Sequence, residues 1–260
     1  MKDLRDIINH LIENGFLEER KNKSSMVIVL RKLLNISSLE NIPNIMATGA
    51  YRVSKKKNAD PYILFAWLRM CELYTNNIGV KNNLNIEKLR SKIPEIKKVM
   101  FDDANTIRKK LQKNFSECGI KFEIVQHFTG APVHGVISYN DTGTLSLIMT
   151  IRQSYADIFW FTLMHEIAHI LNGDIKNKLI DYEDNDNKQE DRANDLARKI
   201  LLDEKEYQDF VNKGNFTYKN IEELAQKNNV KPFIVIGRLQ KEKHIPWNIF
   251  SRKKVRYKWA

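Results

Sequence analysis

Cysteine is scarce: Cys71 and Cys118 are the only two in 260 residues. They lie far apart and show neither metal-ligand spacing nor a disulfide framework, so a reducing compartment is expected. Long apolar runs are missing too; none reaches the roughly 18 residues that would cross a bilayer. The first residues, Met1-Lys2-Asp3-Leu4-Arg5-Asp6, carry acids and lack the apolar core of a secretory signal. Internal repeats and low-complexity segments are absent. Together these absences point to a cytoplasmic protein with no membrane partner.

Hydrophobic residues make up 42% of the chain, ample for a core. The net charge is +11 and uneven: residues 1–120 hold 22 Lys and Arg against 13 Asp and Glu, residues 121–260 hold 21 against 19. A basic front half invites nucleic acid or an acidic protein partner. A solvated, lysine-rich helical surface explains the same excess.

The front section reads as helical. Leu4, Ile7, Ile8, Leu11 and Ile12 recur at helical spacing over residues 3–19, with Gly15 as a stop. Residues 26–34, 62–74, 86–100 and 104–118 continue the pattern, and residues 55–61 are polar and turn-like. Near Gly119 the period changes. Residues 121–126 alternate polar and apolar, as a half-buried strand does. Residues 133–139 and 144–151 flank Asn140-Asp141-Thr142-Gly143, which reads as a hairpin connection. The expected fold is α+β: a helical, basic N-terminal region (1–117), a zincin-like core of a small antiparallel sheet and an active-site helix (118–210), and a helical C-terminal subdomain (211–260). A strand edge near the site would hold an extended peptide by backbone pairing.

Residues 165–169 read His-Glu-Ile-Ala-His inside the segment 158–171, where ten of 14 residues are apolar and the exceptions are Thr162, His165, Glu166 and His169. So apolar a segment predicts a buried helix, and buried ionisable groups are costly unless paired. Histidines four apart project from one helix face. Zinc would satisfy both, with Glu166 placed to act on water rather than to bind metal. Residues 154–157 offer N-terminal caps and Asn172-Gly173 a stop.

A catalytic zinc takes three protein ligands. The helix from residue 190 to 201 has the apolar stripe Ala193, Leu196, Ala197, Ile200 and Leu201. Glu190 lies roughly 55° from the centre of that stripe and Asp191 roughly 155° away. Glu190 is therefore the expected third ligand, with water in the fourth position. A helix-start acid favoured by the macrodipole is its plainer explanation.

The stretch 157–171, followed by Glu190-x-x-Ala-Asn-x-x-Ala-x-x-Ile-Leu, resembles the ImmA/IrrE family of metallopeptidases. Residues 235–240 (Val-Ile-Gly-Arg-Leu-Gln), Ile245-Pro-Trp and Arg256-Tyr-Lys-Trp259 are similar to the peptidase-like part of HigA-type antitoxins. The resemblance is dense over 118–259 and looser upstream, through residues 31–39 and 65–69. It implies His165 and His169 as zinc ligands, Glu166 as general base and Glu190 as third ligand. It also implies gene regulation, with a helix-turn-helix repressor or a toxin as partner. Relatives of the antitoxin type start with a helix-turn-helix, and this chain is expected to begin just after it, which leaves DNA binding without its usual element.

Two functions follow as expectations: a zinc endopeptidase acting on a regulatory protein, or a non-catalytic, antitoxin-like regulator with a structural zinc. Direct DNA binding is a third. Residues 221–227 and 233–241 echo a helix-turn-helix, but Phe233, Ile234, Val235, Ile236 and Leu239 make the second helix too apolar for a groove. The terminal Arg252, Lys253, Lys254, Arg256 and Lys258, interleaved with Phe250, Tyr257 and Trp259, could touch phosphates or form a solvated tail. His134 and Tyr182 are candidate oxyanion donors. Arg238 is either a buried salt-bridge former or an active-site cation. His10, His127 and His244 have no recognisable partners.

Overall fold

The structure is a computed structural model that describes residues 4–48, 59–80, 83–139, 143–175, 179–181 and 188–258. The expected turn at Asn140, Asp141 and Thr142, the polar residues 55–58, Tyr182 and Trp259 lie outside the described residues.

The chain is α+β, a small sheet among helices. Helices α1 (Arg5–Glu13), α2 (Lys23–Leu34), α3 (Ile42–Thr48) and α4 (Pro61–Asn76) come first. Local chemistry sets their ends. Asn22 accepts from Ser24 N to start α2, and Asp60 accepts from Tyr62 N and Ile63 N to start α4, where Pro61 occupies the first turn. Then α5 (Ile86–Lys98) and α6 (Ala104–Glu117) lead into β1 (Ile120–Val125).

Strands β2 (Gly135–Tyr139), β3 (Leu145–Thr150) and β4 (Leu179–Asp181) complete a sheet of order β1-β3-β2-β4. The β2–β3 pair is antiparallel, as expected; β4, for which the sequence predicts no strand, also pairs antiparallel with β2, but β1 and β3 run parallel, Ile120 opposite Leu145 and Val125 opposite Thr150. The sheet is therefore mixed rather than wholly antiparallel. The physical reason is connectivity. Residues 126–134 carry the chain past one strand position, β2 runs back, and β3 fills the gap from the β2 side.

Both sheet faces are covered. Phe122, Ile137 and Leu147 share a core with α5, α6 and the later helices, whereas Val125, Val136 and Ile148 join the core of α1–α4. This explains why β1 is buried along its whole length rather than half-buried. Glu123, on the face its alternation marked as polar, is covered because Arg108 donates to both its oxygens, at 2.6 and 2.8 Å, and Gln112 adds a third bond at 3.2 Å. The boundary expected at residue 117 falls inside one continuous core, since Leu89, Leu111 and Phe115 pack with Trp160 and Leu163.

Helix α7 (Ala156–Asn172) runs through this core with 13 of its 17 residues buried. Each fully buried large apolar side chain contributes roughly 1.5–3 kcal/mol, enough collectively to hold three ionisable groups out of water. Gly173 ends α7 in the left-handed region at φ 70°, as its position suggested. The start differs from expectation: Tyr155 is the N-cap and makes no side-chain cap bond. Asp157 supplies negative charge to the first turn instead, paired with Lys254 Nζ at 2.7 Å. Helices α8 (Lys188–Leu201), α9 (Glu204–Lys213), α10 (Tyr218–Lys227) and α11 (Pro232–Lys241) follow. Phe233, Ile234, Val235, Ile236 and Leu239 of α11 are all buried, so that helix is core. Among the described residues no helix is long and apolar enough to cross a membrane.

Candidate metal centre

α7 and α8 pack along each other and bring three donors together. His165 Nε2 and His169 Nε2 are 3.0 Å apart; Glu190 Oε2 is 3.2 Å from the first and 3.5 Å from the second. All three side chains are buried. Donors bound about 2.0–2.1 Å from a tetrahedral zinc lie roughly 3.3 Å from one another. The observed triangle has that size.

The outer nitrogens decide which ring atoms are free to coordinate. His165 Nδ1 donates to Asn194 Oδ1 over 3.0 Å, and His169 Nδ1 donates to Asp174 Oδ2 over 3.1 Å. Both bonds fix the proton on Nδ1 and turn the Nε2 lone pairs inward, the tautomer a metal requires. Arg192 Nη2 holds the other oxygen of Asp174 at 3.2 Å. Neither Asn194 nor Asp174 was singled out for this role from sequence. Asn194 sits one turn after Glu190 on α8, and that spacing was the available signal.

Without a metal the cluster is strongly polarised. Burial raises the Glu190 carboxyl, but the two imidazoles outweigh it and hold it at about 2. Burial lowers His169, while Glu190 and Asp174 outweigh that and hold it above its ordinary value. Both shifts follow from imidazoles and carboxylates held close together out of water.

Glu166 is fully buried. Its carboxylate lies against Gly135 at the start of β2: a β-carbon added there would fall 2.3 Å from Glu166 Oε1. The base candidate is thus clamped between the helix and the sheet.

Other candidates separate from this centre. Arg238 is a salt-bridge former, with Nη2 on both oxygens of Glu204 at 2.8 and 2.9 Å and Nε on Glu242 at 2.9 Å. His10 Nε2 meets the Tyr74 hydroxyl at 2.9 Å, and His244 lies 3.5 Å from Glu242. In the terminal cluster Tyr257 accepts from Trp160 Nε1 and the Arg256 guanidinium lies over the Tyr155 ring, so that tail is partly packed. His134 is buried beside Arg152, close to Gly135.

A buried helix that presents two imidazoles to a carboxylate from the next helix, against a small sheet, forms a site that could hold a metal ion. Residues 156–240 match the family model for the IrrE N-terminal-like domain, Peptidase_M78, which supports the resemblance to the ImmA/IrrE family over this peptidase-type segment. The match begins with the first residue of α7 and ends within α11, taking in both donor-bearing helices. A search of curated proteins found no match.

Proposed function

We propose that the chain is a zinc-dependent endopeptidase acting on a regulatory protein, a helix-turn-helix repressor or an antitoxin-like partner. The observation that carries this reading is the buried triangle of His165 Nε2, His169 Nε2 and Glu190 Oε2, with both Nδ1 protons committed elsewhere. Two imidazoles and one carboxylate suit zinc better than the hard, oxygen-seeking cations. When bound, zinc supplies Lewis-acid polarisation of the scissile carbonyl and makes water a nucleophile at neutral pH. Glu166 takes the proton from the attacking water and returns it to the leaving amine. Asn194 and Asp174 keep the two imidazoles aligned throughout.

The test is Glu166→Gln with the candidate repressor or toxin partners of the chain. The variant should retain metal, measured by elemental analysis, and lose cleavage; cleavage at the native rate rejects the role of Glu166.

One observation favours a second reading. The Glu166 carboxylate has no solvent exposure, which suits a regulator that binds its partner without cutting it and uses metal structurally. Co-purification with candidate partners, with and without chelator, separates the two: partners retained but never shortened support the regulator.

A further inference from the structure

Beyond α11 the chain concentrates both charge and open apolar side chains. Residues 241–258 hold seven Lys and Arg against one Glu, a surplus of six out of the chain's +11. The same stretch exposes Trp247, Ile249 and Val255, which are 62%, 39% and 45% accessible. These are three of the six large apolar side chains that the described residues leave open, and they fall within nine positions. Scattered apolar groups are ordinary, whereas a concentration of them rimmed by charge marks a contact surface.

The stretch is held in place rather than trailing. Gln240, buried at the end of α11, donates to the carbonyls of Trp247 over 3.2 Å and Ile249 over 2.9 Å. Its Oε1 accepts from Lys254 Nζ over 3.2 Å. Lys254 Nζ also pairs with Asp157 in the first turn of α7 and lies 5.5 Å from the centre of the Trp247 ring. On either side of Arg256 the backbone is tied to the start of α7, since Val255 O accepts from Ala156 N and Tyr257 N donates to Ser154 O. A surface ordered in advance loses little freedom on binding. Its outward cations are uncommitted: among the described residues no carboxylate pairs with Arg252, Lys253 or Lys258.

Charge and apolar cover together select the occupant. Nucleic acid would supply negative charge but leave Ile249 and Val255 uncovered, because bases stack on rings and Trp247 is the one ring of the three. A bilayer covers apolar groups that enter it to roughly 5–10 Å, whereas more than half of Ile249 and of Val255 is already covered by the protein. An acidic polypeptide with a large apolar side chain answers both requirements. We propose that Trp247, Ile249 and Val255, rimmed by Arg252, Lys253 and Lys258, dock an acidic segment of a partner protein through an apolar anchor residue. The surface includes no metal donor, so the proposal goes beyond the metallopeptidase reading and is tested apart from it.

The experiment selects a random peptide library, displayed on phage, against the full chain. Peptides that combine Asp or Glu with a large apolar residue should be enriched. Resynthesised, they should bind Trp247→Ser about tenfold or more weakly than the native protein. The double variant Arg252→Glu, Lys253→Glu should lose as much, and the loss should shrink as salt rises. Serine in place of the apolar residue of the peptide should also weaken binding about tenfold. Ile28→Ser removes an equally open apolar group on α2 and should leave affinity unchanged. No enrichment of such peptides overturns the proposal. So does enrichment of peptides that bind both surface variants as tightly as the native protein. Tighter binding of a short oligodeoxythymidylate, or of vesicles of phosphatidylserine and phosphatidylcholine, lost in the same variants, assigns the surface to nucleic acid or membrane and overturns it as well. Should Trp247→Ser fail to fold, the double variant and the serine-substituted peptides decide. Zinc content is measured alongside, and native zinc binding in the surface variants keeps failure here distinct from failure of the metal site.

Discussion

Gly135 and Glu166 are in contact across the interface between sheet and helix, with no space for a methyl group between them. The backbone of Gly135 belongs to regular β2 pairing, opposite Met149 and Asp181. Its need for glycine is therefore one of room rather than of backbone angle. Gly135→Ala should push the Glu166 carboxylate aside by a fraction of an ångström to an ångström. Misplacement on that scale costs roughly a hundredfold in rate, and overpacking costs about 1–3 kcal/mol in stability. Metal content should be unchanged, since neither histidine moves. Native turnover in a folded Gly135→Ala protein would show that the contact has no part in the chemistry.

Asn194 and Asp174 reach the metal only through the imidazoles. Asn194→Ala and Asp174→Ala should each weaken zinc binding by about 10–100-fold, measured by competition with a chromophoric chelator. The two should differ in kind. Asp174 places a carboxylate behind His169 and makes that ring the stronger donor, so its loss should cost more than loss of the neutral amide behind His165. Equal zinc affinity in native and Asp174→Ala protein would contradict this arrangement.

The chelated protein should show a pH optimum set by the His169–Glu190 pair. Glu190 is held at about 2, below its ordinary 4.5, so its contribution is present above about pH 4.5 and fades as pH falls towards 2. His169 is held above its ordinary 6.5, so its contribution is full below about pH 6.5 and is lost as pH rises through the folded value. The pair thus stabilises most between those limits. The difference in Tm between native and Glu190→Gln protein, both with chelator, should peak there and shrink towards alkaline pH. With zinc the difference should grow instead as pH rises, because metal and proton compete for the same imidazole nitrogens. A chelated difference that grows steadily above about pH 6.5 would contradict the assignment.

The donor triangle was legible in sequence because contrast made it so. His165, Glu166 and His169 interrupt an apolar segment, and Glu190 lies towards the apolar stripe of its own helix, so residue type and helical angle both spoke. Asn194 and Asp174 had no such contrast: one sits on a polar helix and the other just beyond Gly173, and each acquires meaning only once α8 lies across α7. Most of the helices and the antiparallel β2–β3 pair followed from local period, whereas α3, α9 and the short β4 did not. The parallel β1–β3 pairing did not, because Ile120 and Leu145 meet through a choice of neighbour that no local pattern encodes. For the same reason the helical run ending at residue 117 looked separable, although Leu111 and Phe115 pack in the core of the metal-site helix.

Arg238 was the residue for which sequence left a salt bridge and an active-site cation equally open, and its surroundings decide between them. Its guanidinium lies 3.6 Å over the Tyr207 ring and binds Glu204 and Glu242, while the Tyr207 hydroxyl donates to Glu242 over 2.7 Å. This network ties α9 to α11, the helix that packs against α7. Because Glu204 and Glu242 remain partly open to solvent, which screens the pairs, Arg238→Ala should cost about 1–3 kcal/mol rather than the full penalty of a buried ion pair. Arg238→Lys should recover only part of it, since an ammonium cannot bind two carboxylates and stack on a ring at once. Zinc affinity should be native in both variants. A drop in zinc affinity larger than the loss in stability would place Arg238 back at the metal, against the geometry that holds it on the far helix pair.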